Sequence, residues 1–171
     1  MFNRLTFTAA AIVIGLSAQA ARAETVVEIA AGDARFSTLV TAVEAAGLAE
    51  ALSGLGPFTV YAPTNDAFAA LPDGTIETLL KPENKGQLTN VLLYHVDDRK
   101  LTAANIPDGE TPFKPMLESA RLCITKSADG VTIDDGSGAK ANVIIADIMA
   151  DNGVIHVVDK VLLPGDRPAC H

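Results

Sequence analysis

The run Val154-Ile155-His156-Val157-Val158 is apolar on both of its faces and directly follows Asn152-Gly153. A strand with no polar face has no side to turn to water, so it belongs in the interior of a sheet. Asn-Gly is the strongest short-range signal for a tight strand-to-strand turn. The segment before it, Asn142 to Ile148, is also apolar, so the two runs are expected to form a hairpin with Val154–Val158 as a central strand. Leu122-Cys123-Ile124-Thr125 and Val131-Thr132-Ile133 read as further strands, separated by Asp129-Gly130, and Asp135-Gly136-Ser137-Gly138 reads as a turn. The first half has a different period. Phe36, Leu39, Val40 and Val43 share one helical face, with Asp33 to cap its start and Gly47 to end it. A shorter helical turn, Thr25 to Ala31, precedes it, and Pro82 opens a helix whose face carries Leu88, Val91, Leu92 and His95. Between these helices, Phe58-Thr59-Val60-Tyr61-Ala62 is a strand stopped by Pro63, and Thr64 or Asn65 caps a short helix carrying Phe68. Helices first and strands later, without regular alternation, give an α+β fold rather than a doubly wound sheet.

The chain has 171 residues, 49% hydrophobic and 20% charged, which fits one folded domain and excludes intrinsic disorder. Residues 1–23 read as a secretory signal. Arg4 gives a positive start, Ala9 to Leu16 an apolar run, and Ala21-Arg22-Ala23 the small residues of a cleavage site. The competing reading is a membrane anchor, but the run falls well short of the ~20 apolar residues that span a bilayer. No second such run follows. The mature domain is therefore expected over residues 24–171, exported to the periplasm or the cell exterior. The leader holds Arg4 and Arg22 and no acid, so the remainder is two charges more acidic than the −8 of the whole chain. Such a surface repels phosphate backbones and anionic lipid, which argues against nucleic acid as a partner. With no Trp, and with Phe2 and Phe7 in the leader, few rings remain to stack on bases or sugars.

Enzyme signatures are missing from the sequence: no Gly-x-Ser-x-Gly, phosphate loop, dinucleotide-binding glycine pattern or His-Glu-x-x-His occurs. The Asp134-Asp135-Gly136 stretch puts Val131 at the first ligand position of a calcium loop, so it is not one. Asp97-Asp98 and Asp134-Asp135 read as solvated turns, and Cys170-His171 is too small a set for a specific metal site. No cofactor is expected. His95 and His156 lie among apolar neighbours, where an imidazole needs a partner for each ring nitrogen. Thr64, Asn65, Tyr94 and backbone groups are the candidates. Either the histidines belong to a structural polar core with Thr64 and Asn65, or they line a catalytic or metal pocket. Export would place Cys123 and Cys170 in an oxidising compartment. There one disulfide is the default, worth about 4 kcal/mol in the chain-entropy picture, with two free thiols as the alternative.

The segments GPFTVYAPTNDAF (Gly56–Phe68) and NGVIHVVDKVLLP (Asn152–Pro164) resemble the two signature blocks of the fasciclin domain. LLYHV (Leu92–Val96) resembles its central Tyr-His motif, and LPDGTIETLLKPENKGQLTNVL resembles its linking helices. The resemblance implies a β-wedge of two sheets with several packed α-helices. It also implies a non-catalytic module for cell adhesion or protein binding, whose partner is a protein, a cell surface or matrix. Secreted single-domain bacterial members belong to this family. In animal members an Asp-Ile pair before the second block, and the Tyr-His region, are implicated in integrin contact. The matching positions are Asp147-Ile148 and Tyr94-His95. Ile145-Ala146 stand where those members carry acidic and proline residues, so adhesive contact carries over and a named receptor does not.

Solvation gives an independent reason to separate these positions. Asn65 and His156 sit in apolar, motif-dense segments, where an unpaired polar group costs ~1–3 kcal/mol, so they are expected to serve the fold. Asp147 follows an apolar strand and precedes a turn, so its carboxylate is expected to face water beside Ile148 and Met149, either as an anchor for a basic partner or as a plain solvated turn carboxylate. The alternative function is an exported ligand-binding or lytic protein with a pocket near His95 and His156.

Overall fold

The computed structural model describes residues 24–165 and Cys170, so the leader assigned to residues 1–23 and the residue His171 lie outside the described residues. Helix α1 (Val26–Gly32) starts in a reciprocal cap: Thr25 Oγ1 accepts the Glu28 amide, and the Glu28 carboxylate accepts the Thr25 amide. Asp33 caps a short 3₁₀ turn, Ala34–Phe36, rather than the long helix it was expected to open. That helix, α2 (Ser37–Ala46), ends where Gly47 turns left-handed at φ 74°. Helix α3 is Ala49–Leu52. Strand β1 (Phe58–Pro63) leads into α4 (Asn65–Ala69), which Thr64 caps through Ala67 N. Helix α5 (Thr75–Leu79) was not separated out in the sequence, and Pro82 opens the 3₁₀ turn that feeds α6 (Lys85–Tyr94). The remaining strands are β2 (Val96–Asp97), β3 (Gly109–Phe113), β4 (Leu122–Ser127), β5 (Gly130–Asp134), β6 (Ala141–Ala150) and β7 (Gly153–Val158).

The seven strands run in the order β2-β1-β7-β6-β5-β4-β3. Only β1 and β7 are parallel, paired from Phe58↔Gly153 to Pro63↔Val158. The first end of β6 pairs with β5 at Ala141 and Asn142, and its longer remainder pairs with β7. Its register slips twice against β7, between Val143 and Ile145 and between Ile145 and Ile148. Extra residues on one strand bend it and sharpen its twist. β6 is thus the hinge of the wedge, shared by a sheet of β2-β1-β7-β6 and a sheet of β6-β5-β4-β3.

Each face of the first sheet has its own core. Phe36, Leu39, Leu92, Val60, Ile155 and Val157 pack with the helices on one side. Tyr61, Tyr94, Leu122, Ile124, Ile133 and Val158 pack on the other, against the second sheet. β7 is buried at all six positions, because it has a strand on each edge and a core on each face. Gly153 serves more than the turn: a methyl there would run into the Phe58 carbonyl, so the parallel pairing with β1 itself requires glycine.

Candidate functional site

His95 ends α6, where its imidazole turns inward. Nδ1 donates to Val91 O at 2.7 Å, and Nε2 accepts from Leu162 N at 2.8 Å. This fixes a neutral ring with its proton on Nδ1. Burial holds its pKa down to about 4, against the opposing pull of the Val91 carbonyl and the Asp135 charge. His156 is the mirror case on β7. Nε2 donates to Leu101 O at 2.5 Å, and Nδ1 accepts from Asp147 N at 3.3 Å. Burial lowers its pKa too, with the Leu101 bond and the Asp147 charge opposing. The Tyr61 ring stacks on it with centroids 5.9 Å apart.

Both rings are therefore saturated by backbone, not by Thr64, Asn65 or Tyr94. The cavity that His95 touches is apolar, about 30 Å³, and His156 does not line it. No group of three or more His, Cys, Asp or Glu side chains is placed to hold a metal ion among the described residues. Asn65 is half-buried and ties α4 to the start of α2. Its Nδ2 donates to Ala34 O at 2.8 Å and its Oδ1 accepts from Thr38 N at 3.1 Å.

Tyr94 and His95, the positions that the family resemblance links to contact, are 1% and 2% exposed. The Tyr94 hydroxyl is held inside, with Arg121 O at 2.9 Å and Asp135 O at 3.2 Å. Both side chains lie in the interior. Of the turn carboxylates expected to be solvated, Asp98 is exposed and Asp134 half-buried, but Asp97 and Asp135 are not solvated. Asp97 is buried, grips Arg99 through Nε at 2.8 Å and Nη2 at 2.7 Å, and accepts the Arg99 amide. Asp135 is buried and accepts from Ser137 N, Leu163 N and Lys160 Nζ. Burial works against its ionisation, and these bonds more than offset it, so its pKa lies below the ordinary carboxylate range.

Of the exposed large apolar side chains among the described residues, Leu55 stands alone after α3 and the other three lie on β6. Ile144, Ile145 and Met149 are 54%, 38% and 51% exposed. They flank Asp147, which sits at the second register slip with φ 58°, a left-handed conformation that Asp tolerates better than most residues. Asp147 is exposed, but not only to water: its Oδ1 accepts from Ala103 N at 2.8 Å. Ile148, half-buried, pairs with Ile155. Beside Met149 a groove of about 460 Å³ runs past Lys100, Asp151 and Glu24.

Asn152 does more than form the expected turn. It is buried and clasps three elements: Oδ1 accepts from Val26 N at 2.9 Å, and Nδ2 donates to Leu52 O and Gly54 O, each at 2.8 Å. Cys123 on β4 is disulfide-bonded to Cys170, with Cα atoms 5.7 Å apart. No helix among the described residues is long and apolar enough to cross a membrane.

The Fasciclin domain model matches residues 34–164. Synechocystis protein sll1483 is 54% identical over 142 residues, covering 83% of this chain and 74% of that protein. Synechocystis protein sll1735 is 48% identical over 145 residues, covering 82% of this chain and 98% of that protein. The pig transforming growth factor-beta-induced protein ig-h3 is 42% identical over 140 residues, covering 82% of this chain and 19% of the relative. Among solved structures, a FAS1 domain pair from the insect cell adhesion molecule fasciclin I superposes with a TM-score of 0.72 at 19% identity, covering 82% of this chain and 51% of that one. The matched span takes in both signature blocks, the Tyr-His motif and the helices between them, and by that match this chain belongs to the fasciclin-domain family.

Proposed function

We propose that the chain is exported, loses residues 1–23, and acts as a single-domain, non-catalytic module for cell adhesion or protein binding. Contact is made through the β6 strip around Asp147 and Ile148. The observation that carries this reading is the strip itself: Ile144, Ile145 and Met149 stand in water around one exposed carboxylate. Exposed apolar side chains clustered on one strand mark an interaction surface. A carboxylate among them favours a basic partner and disfavours an acidic one.

Three further observations support it. The solved structure that shares the fold comes from a cell adhesion molecule. The Cys123–Cys170 bond belongs in an oxidising compartment, as export supplies. Both histidines are saturated, and the cavity beside His95 is apolar, about 30 Å³ and not lined by His156, which weighs against a ligand-binding or lytic pocket shared by the two rings.

Attachment of the processed protein to cells or to immobilised matrix tests this, at equal folded concentration. Replacing Ile144 and Met149 together by Ser is expected to lower attachment several-fold while the melting temperature stays within a few degrees. Unchanged attachment would move the contact site off β6.

A further inference from the structure

We propose that removal of residues 1–23 turns the Glu24 nitrogen into an ammonium that pairs with the Asp151 carboxylate, so that export processing itself adds an ion pair between the chain's new start and the β6–β7 turn. The cut before Glu24 rests on the export reading; the pairing geometry rests on the fold alone. Glu24 N lies 2.8 Å from Asp151 Oδ2, and Asp151 N donates back to Glu24 O at 3.0 Å. The next two amides are also held: Thr25 N by Glu28 at 2.9 Å and Val26 N by Asn152 Oδ1 at 2.9 Å. The first residue of the expected mature chain is thus fixed on both its nitrogen and its carbonyl before any charge appears.

In an uncut chain the Glu24 nitrogen is a peptide N–H, with one donor and no charge. Cleavage adds one water across the Ala23–Glu24 bond. The hydroxyl goes to the Ala23 carbonyl carbon and a hydrogen to the Glu24 nitrogen. Near neutral pH the new carboxyl group gives up its proton and the amine takes one up. Ala23 leaves as a carboxylate, and Glu24 keeps three donors and a positive charge at the same place. Charge-assisted bonds of this kind are about twice as strong as neutral ones. The surrounding groups favour the charge on balance. Asp151 faces it from the turn, and Glu28 from α1 and the Glu24 side chain add negative charge nearby. Lys100, across the same groove, opposes it. The partners are already oriented by backbone bonds, so pairing costs less side-chain entropy than an ordinary surface ion pair.

The intact mass of the exported protein comes first. A start other than Glu24 overturns the export boundary, and the pairing is then measured on chain released to begin at Glu24 by a site-specific protease. The α-amino group is titrated by NMR in the folded protein, in folded Asp151→Asn, and in the same chain unfolded in urea. In the folded protein it is expected to titrate above the ordinary ~7.7–8.0, by about half a unit or more over both references. Equal values in all three overturn the pairing, and the comparison with unfolded chain holds even if the variant fails to fold. A raised folded pKa gives stability that is present at low pH and lost as pH rises through it. The gap in melting temperature between wild type and Asp151→Asn is therefore expected to shrink from about pH 7 to about pH 10. A constant gap would assign the contact to a neutral hydrogen bond and overturn the ion pair.

Discussion

β7 is buried along its whole length, while β6, its partner across a two-residue turn, is buried only at its ends, Ala141 and Ala150. Both strands are rich in Ile and Val. Composition does not separate them; their neighbours do. β7 has β1 on its other edge and a hydrophobic cluster over each face. The middle of β6 lies where the two sheets of the wedge part, and its two register slips turn Ile144, Ile145 and Met149 outward. An apolar residue in the first strand contributes to stability. In the second it is free to contribute to contact.

The sharpest way to break this contrast is a matched pair of truncations. Ile155→Ala empties a fully buried site and is expected to cost about 2–5 kcal/mol in urea unfolding, whereas Ile144→Ala is expected to stay within about 0.5 kcal/mol. Equal losses would mean that β6 is as much core as β7.

Protons probe the same difference. His95 is held from 6.5 down to about 4 by burial, so the unfolded chain binds a proton there before the folded chain does. Stability from this group is complete above about pH 6.5 and is lost as pH falls toward 4, by about 3 kcal/mol in all. His156 on β7 adds to the loss in the same direction. Asp135 acts in a lower window, below its ordinary 3.8. Urea midpoints measured between about pH 7 and pH 4 check the slope, and the His95 ring signals are expected to show no titration above about pH 5 while the protein is folded. A flat profile would mean that the rings are reached by water.

Asp147 gives the smallest effect and refines the contrast most. Its Oδ1 holds Ala103 N, and its left-handed backbone suits Asp or Asn better than Ala. Asp147→Ala is expected to cost about 0.5–1.5 kcal/mol, which is a few degrees of melting temperature for a chain of this size. Asp147→Asn keeps an acceptor and the backbone preference, and is expected to cost less. If both variants lose attachment equally, the charge is what the partner reads. If only the Ala variant loses it, the local fold is.

Much of the sheet was legible in the sequence. The strands at 58–63, 122–127, 130–134 and 153–158, and the hairpin turn between β6 and β7, follow from β-branched runs punctuated by Gly, Asn and Pro. β3 was not legible, because Gly109, Glu110 and Pro112 are all poor strand formers. Pro112 is tolerated there because β3 lies at the edge of the sheet. The parallel pairing of β1 with β7 has no local signature, since its partners lie far apart in the chain. Asp97 and Asp135 were misread for two reasons. The Arg99 that neutralises one is only two residues away, and its bidentate geometry is invisible in a string of letters. The Lys160 that neutralises the other is 25 residues away. Tyr94 and His95 entered as contact residues through family resemblance; the spacing of His95 with Leu88, Val91 and Leu92 already marked its inward face, whereas the burial of Tyr94 follows only from the packing of α6.

The Asn152 clasp joins residues 126 apart in the chain, and β7 enters the sheet between its hairpin neighbour β6 and β1, a strand formed from much earlier sequence. Ribosomes deliver the N-terminal helices first, long before the residues that fasten them. Contacts of such long range also form slowly, because the loop must close before it is rewarded. The domain therefore cannot fold in stages as it is made. Its apolar helices wait, unfastened, for the last strand, and that interval is when the chain is most open to aggregation and most dependent on whatever escorts it.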